Sequence, residues 1–226
     1  MAQLPEITPI DRIQENFLAR AERRLLNWLC ARLPRWMTPD KLTSIGMLGA
    51  VMIFAGYLAS NLAAEWLWLS IAGFVVHWFG DSLDGSLARF RKIERPRYGY
   101  FLDHSCDGLA TTMIVVGIGL SPYVAVEAAL LGLAGYLLLS IHAFLSVRVL
   151  GELPLTYLNL GPTEVRVILV VLTLCFLIFG VPRPIWNGAT SFDLVAWGAG
   201  VLMIGLFVAM TTSKARMLAR QEPPRQ

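Results

Sequence analysis

Four aspartates crowd one stretch of this chain, GDSLDGSLARFRKIERPRYGYFLDHSCD, which runs from Gly80 to Asp107. Asp81 and Asp84 are three residues apart, and Asp103 and Asp107 are four apart. Each pair therefore shares one face of a helix. Five cationic residues, Arg89, Arg91, Lys92, Arg95 and Arg97, lie between the pairs. Two helices joined by so short a basic loop run antiparallel, and the four carboxylates can converge between them. Carboxylates facing one another repel, and a divalent cation or two resolves the conflict. An all-oxygen donor set suits Mg²⁺, Mn²⁺ or Ca²⁺ better than zinc. Gly85 directly after Asp84, and Gly99 one turn before Asp103, leave room for a ligand or a neighbouring backbone.

Two other readings of these aspartates stand beside the metal one. They are solvated helix ends, or they line a proton or cation pathway. Pathway carboxylates usually sit near mid-span, whereas these gather at one end beside cations, which suits an anionic substrate.

The elements that must position this cluster are membrane helices. Of the 226 residues, 56% are hydrophobic and 15% charged, with a mean hydropathy of +0.58. Soluble domains carry about 25% charged residues. The apolar residues fall in runs of roughly the 20 residues that cross a bilayer. Six spans are expected: Leu42 to Ser60, Glu65 to Gly80 with a polar helical extension, Gly99 to Leu120, Tyr123 to Val149, Glu164 to Val181, and Phe192 to Thr212. Ahead of them, Ile10, Ile13, Phe17, Ala21, Leu25 and Trp28 share one helical face among arginines. This is an amphipathic helix, either lying in the membrane interface or packed on the membrane domain. The expected fold is thus all-α, integral to the membrane, with six transmembrane helices. The division is 1–41 as a juxtamembrane segment, 42–213 as the membrane domain and 214–226 as a basic tail. The first 40 residues lack an apolar core region, so no cleavable signal is expected.

Eighteen of the 19 Lys and Arg residues fall on one side of this topology, with Arg183 the exception. That side is the cytoplasm, and it holds both termini and the aspartates. A bacterial-type cytoplasmic membrane fits. Trp66, Trp68 and Trp186 fit an aromatic belt on the other side. The three cysteines, Cys30, Cys106 and Cys175, have no metal-binding or disulfide spacing. Cys106 reads as a small buried apolar residue.

The aspartate stretch resembles the signature of the CDP-alcohol phosphotransferases, D-x-x-D-G-x-x-A-R, a spacer, then G-x-x-x-D-x-x-x-D. Asp81, Asp84, Gly85, Ala88, Arg89, Gly99, Asp103 and Asp107 supply its fixed positions. The spacer from Phe90 to Tyr98 has one residue more than the family's usual eight. The resemblance implies an enzyme of phospholipid synthesis. It would transfer a substituted phosphate from a CDP-linked donor to an alcohol and release CMP, using Mg²⁺ or Mn²⁺, two ions at the site. It implies Asp81, Asp84, Asp103 and Asp107 as metal ligands, and Asp107 also as a general base. Gly85, Ala88 and Arg89 would contact the CDP group, together with Asp84. The implied partners are the CDP-linked donor, a lipid substrate, membrane lipids and a second copy in a homodimer, with no nucleic acid.

TPDKLT, residues 38–43, resembles the family's TPN-x-x-T element, so Asp40 and Thr43 either touch the nucleotide or cap the first span. The GPTE of residues 161–164, with FLDHSCD, is similar to eukaryotic choline- and ethanolaminephosphotransferases. That favours a CDP-amino alcohol donor and diacylglycerol acceptor over CDP-diacylglycerol and a soluble alcohol. Glu164 would hold an amine or belong to a helix start that Thr163 caps. Arg148 and Arg166 would bind a phosphate or anchor the topology. His104 points away from Asp103, and His77 and His142 read as hydrogen-bonded interior residues. The basic loop, Arg91, Lys92, Arg95 and Arg97, serves topology and anionic lipid contact.

Overall fold

The computed structural model describes residues 17–150 and 162–222, with side chains from Glu22 onward. Ile10, Ile13, Gly161 and the tail beyond 222 lie outside these residues. Among them are seven α-helices, a single 3₁₀ turn at Ala64–Trp66, and no strand. The helices are α1 (Phe17–Arg32), α2 (Pro39–Ala59), α3 (Leu67–Arg91), α4 (Pro96–Gly119), α5 (Val126–Leu150), α6 (Pro162–Phe179) and α7 (Ser191–Gln221). Three of them, α2, α5 and α7, are apolar and long enough to cross a membrane on composition alone. The charges of the signature fall inside α3 and α4.

Helix starts follow their local chemistry. Pro39 sits in the first turn of α2, where a missing N–H costs nothing, and the Thr38 hydroxyl accepts from the Lys41 N–H at 3.3 Å. The cap is therefore Thr38. Asp40 and Thr43 lie inside the helix, which corrects their reading as caps. Thr190 and Asp193 form a reciprocal capping box on α7, and Asp193 also accepts from the Ala125 N–H at 2.7 Å. One buried carboxylate thus ties the starts of α5 and α7 together. Past Thr212, α7 continues unbroken to Gln221.

The tightest packing joins α2 to α3. A Cβ added at Gly49 would come within 2.3 Å of the His77 nitrogen, and one at Gly80 within 2.2 Å of the Gly46 nitrogen. Only a residue without a side chain allows backbones to meet so closely, as between membrane helices generally. α4 packs on the other side of α2 and against α5, while α5 packs on α7 and α6 on α3. Ile53, Tyr57, Phe74, Ile114, Ile118, Tyr123 and Phe176 form a buried core at the end away from the aspartates. There Tyr123 stacks on Phe176 at 4.6 Å, and the Tyr57 hydroxyl bonds Thr173 at 2.5 Å.

α1 docks on this bundle. Its Cys30, with Met37, Leu42, Leu83 and Leu87, makes a second buried cluster flanked by Leu26, Leu29 and Leu33. Leu25 and Trp28, on the face singled out by the sequence, are exposed, as the interfacial alternative requires. The helix has two apolar stripes. One packs on α3, and the other carries Trp28 with the Arg32 guanidinium 3.9 Å above its ring.

Candidate active site

The four aspartates arrive on two helices that flank α2. Asp81 and Asp84 lie in the last third of α3, and Asp103 and Asp107 in the first half of α4. Asp81, Asp84, Asp103 and Cys106 line one cleft, floored by Thr43, Gly46 and Met47 of α2 and by His77. Asp107 is near enough to Asp81 and Asp103 to feel both charges. The convergence read from the spacing is present. Cys106 lines the cleft with the carboxylates, which corrects its reading as a plain packing residue.

Each aspartate has its own setting. The Asp84 carboxylate accepts from the Thr43 hydroxyl at 2.6 Å and from the Gly85 N–H. Thr43 is held in turn at Pro39 O, 3.2 Å away. Asp81 is paired with the Arg166 guanidinium of α6, and both side chains are more than three-quarters buried. Asp103 and Asp107 are more open, with side chains 36% and 40% exposed. His104 turns back toward them. Its Nδ1 lies 3.9 Å from Asp103 and 3.7 Å from Asp107, so adjacency along the helix misled the sequence reading. The ring is held edge-on to Tyr100 at 4.3 Å and against Phe144 at 5.0 Å, and its buried Nε2 has no protein partner among the described residues. His77 bonds Gly46 O and His142 bonds Thr211, each at 3.0 Å, as expected of interior histidines.

The donor set suits a divalent cation. Carboxylate oxygens of Asp103 and Asp107, with a His104 nitrogen, lie within 4.8 Å of one another, and Asp81 and Asp84 face them across the cleft.

The remaining signature residues do not line this cleft. Arg89 is exposed near the end of α3 and lies along Gly85, where an added Cβ would meet its guanidinium at 3.3 Å. Ala88 is half-buried, and its carbonyl accepts from Ile93 N–H as the helix ends on Lys92 in a left-handed conformation, φ 57°. Gly99 has open space where a Cβ would stand, so no protein atom requires a glycine there. Asp40 is paired with Arg95, at the edge of the site.

The basic loop does more than meet lipid, which corrects the sequence reading. Arg91 donates to the carbonyls of Met37, Leu33 and Pro34 at 2.5, 3.0 and 3.0 Å, closing the α1–α2 turn. Arg95 also lies 4.0 Å over the Tyr98 ring.

Sequence reasoning missed a clamp behind the site. Glu22 of α1 accepts from Trp78 Nε1 of α3 at 2.8 Å and from the Thr163 hydroxyl of α6 at 3.1 and 3.0 Å. Thr163 therefore lies inside the first turn of α6 and bonds a side chain rather than capping it. Arg148 is exposed at the end of α5. No local pattern marks a contact between residues 141 apart. The Gly46/Gly49 and Gly73/Gly80 spacings were a usable signal of close helix approach.

Residues 36–213 match the family model for CDP-alcohol phosphatidyltransferase, and the chain belongs to that family. With its long apolar helices it is accordingly an integral membrane protein. A cholinephosphotransferase 1 of Danio rerio is 28% identical over 122 residues, covering 48% of this chain and 32% of the relative. The archaetidylinositol phosphate synthase of Methanothermobacter thermautotrophicus is 30% identical over 118 residues, covering 52% and 56%. The phosphatidylinositol phosphate synthase of Cutibacterium acnes is 35% identical over 91 residues, covering 40% and 41%. The chain spans about a quarter to a third of the length of the cholinephosphotransferases it matches.

Proposed function

We propose that this protein makes a phospholipid by transferring a substituted phosphate from a CDP-linked donor to an alcohol, with CMP leaving. The observation that carries this is the gathering of Asp81, Asp84 and Asp103 at one cleft with Asp107 beside them. Those four carboxylates would hold Mg²⁺ or Mn²⁺, two ions by family analogy, which would neutralise the donor's diphosphate charge. Arg89 would bind the diphosphate through charge-assisted hydrogen bonds at the rim, beside the small residues Gly85 and Ala88. Asp40 and Thr43 act indirectly. Asp40 is engaged by Arg95, and Thr43 orients Asp84. The acceptor hydroxyl gives its proton to Asp107, its oxygen bonds the phosphorus distal to cytidine, and the bond from that phosphorus to CMP breaks.

The preferred direction is a CDP-amino alcohol donating to diacylglycerol, supported by FLDHSCD and by the cholinephosphotransferase relatives. The opposite direction, CDP-diacylglycerol to a soluble alcohol, is favoured by the inositol phosphate synthase relatives and by Arg166, which is paired with Asp81 where a phosphorylated acceptor would find a cation.

The membrane arrangement belongs to the same proposal. Helices α2 to α7 are six spans within a 42–213 domain. Residues 1–41 form an interfacial segment, 214–226 a basic tail, and both termini and the site face the cytoplasm of a bacterial-type membrane, in a homodimer. Exposed Leu25 and Trp28 and the one-sided Lys and Arg distribution support it.

The test is CMP release by the purified protein in lipid with Mg²⁺ or Mn²⁺. One panel offers CDP-choline or CDP-ethanolamine with diacylglycerol, and the other CDP-diacylglycerol with soluble alcohols. Release with the first panel, abolished in Asp107→Ala, is the expected result. Release with the second panel only reverses the direction. No release and no metal-dependent CDP binding would remove the assignment.

A further inference from the structure

We propose that Arg166 is the resident counter-charge of the cation site: its guanidinium holds Asp81 until a divalent cation displaces it, so metal binding and release of Arg166 are one exchange. This rests on the metal reading of the aspartates.

The argument begins with burial. The Arg166 side chain is 15% exposed and that of Asp81 is 21% exposed. A topology anchor keeps its charge at the membrane surface, as Arg148 does at the exposed end of α5. Arg166 instead reaches the carboxylate of Asp81, a lining residue of the cleft. A guanidinium stays charged at any working pH and offers only donors. With Asp81, Asp84, Asp103 and Asp107 close together, one permanent cation lowers their mutual repulsion before any metal arrives.

The same pairing must yield to a metal. A divalent cation bound to Asp81 would put two positive charges beside a third, and it would take the oxygen lone pairs that Arg166 uses. The backbone beneath Arg166 stays where it is. Thr163, one turn earlier on α6, is fastened to Glu22, and Glu22 is fastened to Trp78 of α3. Motion is thereby confined to the long arginine side chain. Asp84 needs no such exchange, because its bonds come from a hydroxyl and a backbone N–H. The device costs metal affinity at Asp81 and leaves a guanidinium at the cleft once the metal is in place.

The experiment measures Mn²⁺ binding by electron paramagnetic resonance on the full chain in nanodiscs, without substrate. Arg166→Gln should bind Mn²⁺ about tenfold more tightly than the unmodified protein, the effect of removing one charge-assisted pair that competes with the metal. Arg166→Lys should fall between the two, and Arg148→Gln should leave the affinity unchanged. A second measurement needs no variant. Phenylglyoxal modification of Arg166, read by peptide mass spectrometry, should quicken when Mn²⁺ is added. Equal or weaker Mn²⁺ affinity in Arg166→Gln, or an Arg166 no more reactive with Mn²⁺ than without it, overturns the exchange while leaving the metal site standing. Absence of Mn²⁺ binding in both Arg166→Gln and the unmodified chain removes the metal reading and the exchange with it.

Discussion

The two halves of the aspartate site are built differently. Asp81 and Asp84 stand on a helix locked to α2 by backbone contact at Gly46, Gly49 and Gly80, and each has a partner from another helix, Arg166 and Thr43. Asp103 and Asp107 stand on α4, where Gly99 and Gly108 face open space and Phe101 and Leu109 are exposed. One half is fixed before anything binds. The other carries more exposed carboxylates on a helix with open space beside it, with the His104 ring against them and Asp107 close to Asp81. Close backbone contact thus fixes the first half more tightly than the second.

The largest expected contrast lies between glycines. Gly80→Ala forces a methyl into the Gly46 backbone and should cost about 1–3 kcal/mol or more, read as a fall in melting temperature in detergent. Gly108→Ala should gain about 0.5–1 kcal/mol, because its Cβ meets nothing and alanine is the better helix former. Equal melting temperatures for the two would erase the contrast between the halves.

Next comes chemistry without stability. Asp107→Asn should lose about 10²–10⁴-fold in CMP release while melting at the same temperature as the unmodified protein. Thr43→Val removes the hydroxyl from Asp84 and should lower Mn²⁺ affinity about tenfold, the usual scale for a hydrogen bond to a charged group. If Thr43→Val binds Mn²⁺ normally, the first half is not organised as described.

Smaller effects probe the clamp. Glu22→Gln should cost about 1 kcal/mol. It should also loosen α1, read at Cys30. That thiol is 2% exposed, and burial raises its pKa above the ordinary value, so it should resist maleimide at neutral pH and react faster in Glu22→Gln. Unchanged labelling would show that Glu22 does not hold α1 down. The smallest effect is a gain. Lys92→Gly relieves a left-handed residue at the end of α3 and should add about 1 kcal/mol to stability.

Much of this was legible in the sequence. Asp81, Asp84 and Asp103 line one cleft with Asp107 close to Asp81, as the aspartate spacing suggested, and the helix ends fell within a few residues of expectation, apart from the last nine residues of α7. The partners of those carboxylates were not legible. Nothing near Asp81 in sequence points to Arg166, 85 residues on, because the rotation of α6 against α3 is set by packing. The same holds for Thr43 and Asp84, 41 apart. On α1 the sequence left two placements open for a different reason. Phe17, Ala21, Leu25 and Trp28 make an apolar stripe, but so do Leu26, Leu29, Cys30 and Leu33, and periodicity does not say which of two stripes meets protein. His104 shows the limit at short range. Its neighbour's direction was known, but the aromatic wall of Tyr100 and Phe144 that turns its ring came from folding.

The three-carbonyl grip of Arg91 also says something about birth order. Leu33, Pro34 and Met37 leave the ribosome 54 to 58 residues before the side chain that closes over them. At a synthesis rate of about 5–20 residues per second, that is a wait of roughly 3–12 seconds. Glu22 waits similarly for Trp78, and much longer for Thr163, 141 residues downstream. α1 is therefore seated in two stages, once when α3 is made and again when α6 arrives. A nascent chain halted between those stages should carry α1 against α3 with the Arg166 half of the site still missing.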